Sequence, residues 1–156
     1  MNLLQLSLIS LLLLSQSSTE GQVNFGKSEC SYCRMIIDKK QFGGEFETLS
    51  GKVFVFDAIE CLAASYCREW NVPIREIKSI RFINYAKPGT LLEQSRAFFV
   101  RTSSVESPMG MNFIAFSTRS AAAKMKRGSG DSLMTWKEVV QYVKGYWNVP
   151  SPSTGK

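Results

Sequence analysis

The sequence predicts an α+β fold: two similar ββαβ units with mostly antiparallel sheet, followed by a C-terminal helix. Three observations carry this. Short strand-like runs recur between Gly, Pro and Asn breaks, at residues 45–48, 53–56, 77–85, 97–102 and 112–116. Two of them lead into helical patterns of the same plan, Val55-Phe56-Asp57 through Ala63-Ala64 and Ala115-Phe116-Ser117 through Ala122-Ala123. Each is a strand ending in Phe, a capping residue, then a helix with an alanine pair. Finally, Thr135-Trp136-Lys137-Glu138 has the capping-box form that opens a last helix.

Taken in order, residues 1–18 read as an export signal and 19–29 as a polar lead. Residues 30–86 form the first ββαβ unit, which opens on a sulfur-rich turn. Met35-Ile36-Ile37 reads as a strand, broken by Phe42-Gly43-Gly44. Residues 45–48 and 53–56 pair across a Ser50-Gly51 turn. Asp57 can cap a helix from Ala58 that carries Ile59, Leu62, Ala63, Tyr66 and Trp70 at helical spacing, ended by Asn71 and Pro73. Residues 77–85 complete the unit, and Lys87-Pro88-Gly89 is a break. Residues 87–147 are the second unit plus the C-terminal helix. There, strands at 97–102 and 112–116 precede a helix capped by Ser117 or Thr118, running to about Arg127. Leu133 and Met134 offer a short closing strand, and the last helix runs to about Trp147. Residues 148–156 read as a frayed tail.

Composition narrows the function. The 156 residues suffice to bury a core without disulfides, and 44% are hydrophobic, ordinary for a globular chain. The net charge of +6 is spread out, with no run of five or six like charges, so no nucleic-acid partner is expected. There is no histidine, which removes the usual neutral-pH general base, histidine-dependent triads and the commonest metal ligand. Leu3 to Leu14 is mostly apolar, too short to cross a bilayer comfortably, and is followed by Ser15-Gln16-Ser17-Ser18. This predicts a cleaved secretory signal, or else an uncleaved anchor, and a periplasmic or cell-envelope location. No lipidation cysteine follows the apolar run, so membrane association is left open.

Cys30-Ser31-Tyr32-Cys33-Arg34-Met35 carries the chemistry. Cysteines three apart can turn both sulfurs to one ion. On extended backbone Cys33 and Met35 would face the same side, presenting a thiolate and a thioether to one point. Such a pair selects soft ions, copper(I) above all. Pro108-Met109-Gly110-Met111 sits in the loop between the second unit's strands, where Pro and Gly leave the Met109 sulfur free to project. Cys30, Cys33 and Met35 are therefore candidate ligands, and Met109 reads either as a fourth or as core filler. Other readings stay open: a Cys30–Cys33 disulfide, a thioredoxin-like pair, or a four-cysteine zinc site adding Cys61 and Cys67. The last two lie on one helix about 120° and roughly 9 Å apart, too far to bridge each other. Cys61, near the helix start, is the better placed to approach the knot. The sequence places no acid beside the knot, Glu29 being the single candidate.

These stretches resemble the NosL family, the accessory proteins of nitrous oxide reductase. The resemblance runs through Glu29 to Ile37, Val55 to Leu62, Ala97 to Val100, Pro108-Met109-Gly110, Ile114 to Phe116, Ala121 to Ala123, Gly130, Leu133 and Trp136 to Val139. It implies a periplasmic copper(I) chaperone, not an enzyme, serving the apo form of nitrous oxide reductase or another copper acceptor. It also implies a fold related to that of organomercurial lyase. Carried over by position, Cys30, Cys33, Met35 and Met109 are its metal-site residues. Arg34 stands where the family usually has glycine, and the family's usual lipidation cysteine is absent. The C-x-x-C-x-M signature also resembles the shorter YHS and TRASH modules. The rivals of another class are a thiol-disulfide oxidoreductase or lyase-like enzyme using Cys30 and Cys33, and a disulfide-stapled interaction module.

Overall fold

The computed structural model describes residues 23–150 and 152; the expected signal, residues 1–18, lies outside them. Two antiparallel sheets and three α-helices make up most of the described residues. The first sheet contains β1 (Gly44–Thr48), β2 (Val53–Phe56), β3 (Ile77–Ile83) and β4 (Leu91–Glu93), in the order β2-β1-β3-β4. The second contains β5 (Phe98–Arg101), β6 (Phe113–Phe116) and β7 (Ser132–Met134), in the order β6-β5-β7. Helices α1 (Ile59–Arg68) and α2 (Arg119–Lys124) each follow a hairpin, and α3 (Trp136–Tyr146) closes the chain. This is the α+β plan expected, with the strand-to-helix repeat intact.

The β1–β2 hairpin places Phe46 opposite Phe54 and Glu45 opposite Val55. Its turn needs a left-handed residue, supplied by Gly51 at φ 84°. At the other end of β1 the backbones run so close that a Cβ on Gly43 would collide with the Phe56 carbonyl. That contact brings the 42–44 break against the end of β2, where the chain turns into α1. Three predicted features shift. Met35-Ile36-Ile37 is not a strand; Ile36 makes only an isolated bridge with Glu29. The first helix stops at Arg68 because Glu69 turns left-handed at φ 49° and its N–H returns to the Tyr66 carbonyl. Trp70 therefore leaves the helical stripe and stands 55% exposed. Beyond the expected boundary at 86/87, Leu91–Glu93 returns to pair with β3.

The two units share one core. Phe82 of β3 meets Phe99 of β5 edge-on at 4.7 Å, and Trp136 at the start of α3 lies 5.0 Å from Phe82 and 5.9 Å from Phe99. Helix α1 packs on α3. The Tyr85 N–H donates to the Ala115 carbonyl at 2.9 Å, stitching the sheets by backbone. Trp136 is held where it is needed because Thr135 and Glu138 form the full capping box predicted for α3. Among the described residues no helix is long and apolar enough to cross a membrane.

One carboxylate ties the second unit together. Buried Asp131 accepts from the Arg127 N–H at 2.7 Å, the Thr102 hydroxyl at 2.8 Å, the Ser103 N–H at 3.0 Å and the Gly128 N–H at 3.2 Å. The backbone donors of Arg127 and Ser103 hold its carboxyl well below the ordinary carboxylate range. A depressed folded-state value adds stability above the unfolded-state value and loses it as the pH falls. Asp131→Ala is therefore expected to lower the Tm by several degrees at pH 7. Thermal melts from neutral pH downward should show the gap to the parent protein narrowing below about pH 4; a gap independent of pH contradicts the assignment.

Candidate metal centre

The sulfur turn is built from local hydrogen bonds and then fastened to the sheet. The Cys30 N–H donates to the Met35 carbonyl at 2.8 Å and the Arg34 N–H to the Cys30 carbonyl at 3.0 Å, closing 30–35 into a compact loop. Closing it requires Arg34 at φ 69°. Such a left-handed φ ordinarily favours glycine, and here an arginine adopts it. It also removes the premise that Cys33 and Met35 share a face as extended residues. Met35 is 46% exposed.

Both residues between the cysteines have a task. Ser31 uses the free edge of β2: its N–H donates to the Val55 carbonyl at 2.8 Å and its hydroxyl accepts from the Val55 N–H at 3.2 Å. The Ser31 carbonyl accepts from Asn71 Nδ2 at 3.2 Å, and Asn71 is itself held by the Ser65 hydroxyl at 2.6 Å. Tyr32 stacks on Trp147 at 6.4 Å and meets Trp70 edge-on at 6.2 Å.

With the turn fixed on β2, the end of β2 and the start of α1 supply the other donors. One ligand atom each from Cys30, Cys33, Asp57 and Cys61 lies within 4.8 Å of all the others. An ion bound at ~2.3 Å to each of two sulfurs keeps them within about 4.6 Å of one another, so little movement separates this cluster from a coordination shell. Cys30 and Cys61 are fully buried and Asp57 is 2% exposed; Cys33 alone is half-buried.

The four groups share charge unequally. Cys30 is lowered to about 7, first by the Cys61 thiol donating to it, then by the backbone N–H groups of Asp57, Cys33 and Tyr32. Cys33 is pushed up to about 12 by burial, with the Cys30 and Asp57 charges adding to the effect. Its thiol donates to Asp57 Oδ2 at 3.4 Å. Cys61 is pushed up because its proton serves Cys30 and because it is buried. The arrangement favours loss of the proton at Cys30 and its retention at Cys33 and Cys61. The other Asp57 oxygen, Oδ1, is buried and without a partner among the described residues.

A family model described as NosL matches residues 23–143. The chain belongs to the NosL family. No curated protein matched it. Among solved structures, the crystal structure of the copper chaperone NosL from Shewanella denitrificans is similar, with a TM-score of 0.66 at 23% identity, covering 79% of this chain and 97% of that one. At that identity the likeness is one of fold, and it fits the two-sheet plan of this NosL-family chain.

Of the residues singled out from sequence, Cys30 and Cys33 fall in the cluster. Met109 is half-buried against the same core that contains Cys30 and Cys61. Cys61 approaches the knot as its place at the helix start suggested. Cys67 does not: its thiol reaches the Val140 carbonyl of α3 at 3.6 Å, so the four-cysteine set does not assemble. Asp57 was expected to cap α1, but the N-cap is Ala58, with no side-chain capping bond, and Asp57 turns to Cys33. Glu29, the acid expected beside the knot, pairs outward with Arg34 at 3.0 Å. Asp57 is the donor that sequence reasoning missed, and its signal was the spacing Asp57-x-x-x-Cys61 across a strand-to-helix junction.

The charge distribution has a direct readout. In reduced, metal-free protein, ultraviolet thiolate absorbance is expected to show one titration with a midpoint of about 7. Cys30→Ser should abolish it, and Cys61→Ala should move it toward the ordinary cysteine value of about 8.5. A parent protein with no thiolate signal below that value contradicts the assignment.

Proposed function

We propose that this chain is a copper(I) carrier of the cell envelope, working without catalysis and delivering copper for assembly of the copper centre of nitrous oxide reductase or to another copper acceptor. One observation carries the reading: three cysteine sulfurs converge in a NosL-family chain, two sealed and one half-buried. Three sulfurs suit a soft monovalent ion far better than magnesium or calcium. The ready thiolate of Cys30 gives an arriving cation an anionic first ligand. Cys33, being partly exposed, is the sulfur an incoming partner can reach. A thioether from Met35 or Met109 would serve as a further, exchangeable donor, since it binds weakly and adds no charge. Export by the 1–18 signal would put the carrier where such an acceptor is assembled.

One feature favours a second reading. A carbon–metal lyase needs an acid beside its thiols, and Asp57 holds that place. In that chemistry the metal would stay on sulfur, and the carbon leaving group would take a proton from the Cys33–Asp57 pair. The complete burial of Cys30 and Cys61 weighs against it, because a turnover site must admit a bulky substrate.

Anaerobic titration against a copper(I) chelator separates these. The parent protein is expected to take up copper(I), and Cys33→Ser and Cys30→Ser should each weaken it at least about 100-fold, the upper range for loss of mere outer-shell partners. Met109→Ala should weaken it less, as befits a neutral thioether. Unchanged affinity in both Cys33→Ser and Met109→Ala ends the proposal, and turnover of an organomercurial would install the lyase reading instead.

A further inference from the structure

The loop carrying Met109 lies far along the chain from the cysteines, yet one side chain fastens its base to α1. That side chain is Glu60, fully buried and the immediate neighbour of Cys61. Its Oε1 accepts from the Ser107 hydroxyl and from the Met111 N–H, the latter at 3.1 Å. The loop between these two anchors is closed on itself. The Ser107 N–H donates to Asn112 Oδ1 at 3.1 Å, the Asn112 N–H returns to the Ser107 hydroxyl at 2.9 Å, and the Gly110 N–H meets the Ser107 carbonyl at 3.1 Å. Left-handed Gly110 and Asn112, at φ 79° and 65°, make so tight a turn feasible. Met109 therefore sits in a stiff loop whose two ends are gripped by the residue beside Cys61.

For stability alone this is a poor arrangement. A buried carboxyl is costly unless fully hydrogen-bonded, and Glu60 Oε2 has no partner among the described residues. An apolar side chain on α1 and an apolar loop residue would pack there without that cost. Local rules broken in this way concentrate where a protein must hold a functional group in place.

We propose that Glu60 is a positioning residue, clasping the 107–112 loop to the first turn of α1 so that the Met109 thioether is held at the cysteine cluster. This rests on the copper(I) reading above. The clasp orders the loop before the ion arrives, so that Met109 is recruited without a further ordering cost.

The test uses Glu60→Gln, which keeps Oε1 as acceptor for both donors, and Glu60→Leu, which keeps the approximate volume and removes the acceptor. Copper(I) affinity in Glu60→Leu should fall about tenfold or more, while Glu60→Gln stays near the parent. In a Met109→Ala background, Glu60→Leu should add nothing, because the ligand it positions is gone. In metal-free protein, Glu60→Leu should speed exchange of the Met111 amide and move the Met109 methyl resonance toward that of a free side chain. If Glu60→Leu does not fold by circular dichroism, Ser107→Ala removes one of the two anchors and should show the same pattern at smaller size. Parent-like affinity in folded Glu60→Leu, a loop that does not loosen, or an equal loss with and without Met109 each overturns the clasp. A parent protein that takes up no copper(I), or a Cys33→Ser variant that binds as well as the parent, overturns instead the reading on which the clasp rests.

Discussion

A fully buried sulfur, Cys30, on which one thiol and three backbone N–H groups converge is the constraint around which the first unit is organised. An anion out of water must find its stabilisation in fixed dipoles and donors. Cys30 finds it in the Cys61 thiol and in three backbone N–H groups from two separate segments. Those donors converge only if the 30–35 turn and the β2–α1 junction are held in register. Ser31 fixes that register by pairing in both directions with Val55. The edge strand β2 thereby acquires a neighbour and is not left open to other chains.

Comparison of the two strand-to-helix junctions shows how the first was given over to this purpose. In the second unit, Thr118 sits at the N-cap of α2 and accepts from the Ala121 N–H at 3.2 Å. In the first, the N-cap has the same extended backbone but is Ala58, which cannot cap. The acid stands one residue earlier, in the sulfur cluster. The first helix thus gives up a stabilisation of about 1 kcal/mol, while the second retains it. The shared core spanning β3, β5 and α3 supplies the stability that lets one end depart from the rule.

Most of the architecture could be read from periodicity and capping residues. The β1–β2 hairpin, the paired junctions and the capping box of α3 declare themselves through local chemistry, and local chemistry is what a sequence displays. β4 is three residues long, too short to carry a pattern, and exists because β3 offers it an edge. The site was half legible. Cys30 and Cys33 are adjacent, so their convergence is nearly forced by the chain. Asp57 looked like a cap, but the helix starts at Ile59, so the N-cap falls one residue later on Ala58 and the Asp57 carboxylate turns to Cys33 instead. Extended backbone after Cys33 was a fair reading of Met35-Ile36-Ile37, overridden by the left-handed Arg34 needed to close the loop. Glu60 gave no sign at all, since a glutamate in the first turn of a helix is ordinarily a solvated partner of the helix dipole.

Cys33 is the one member of the four-group cluster that is not buried. For any ion held there, arrival and departure must use the same doorway. Whatever loads the protein and whatever unloads it would have to occupy one patch of surface, around the cysteine turn, and so would exclude each other.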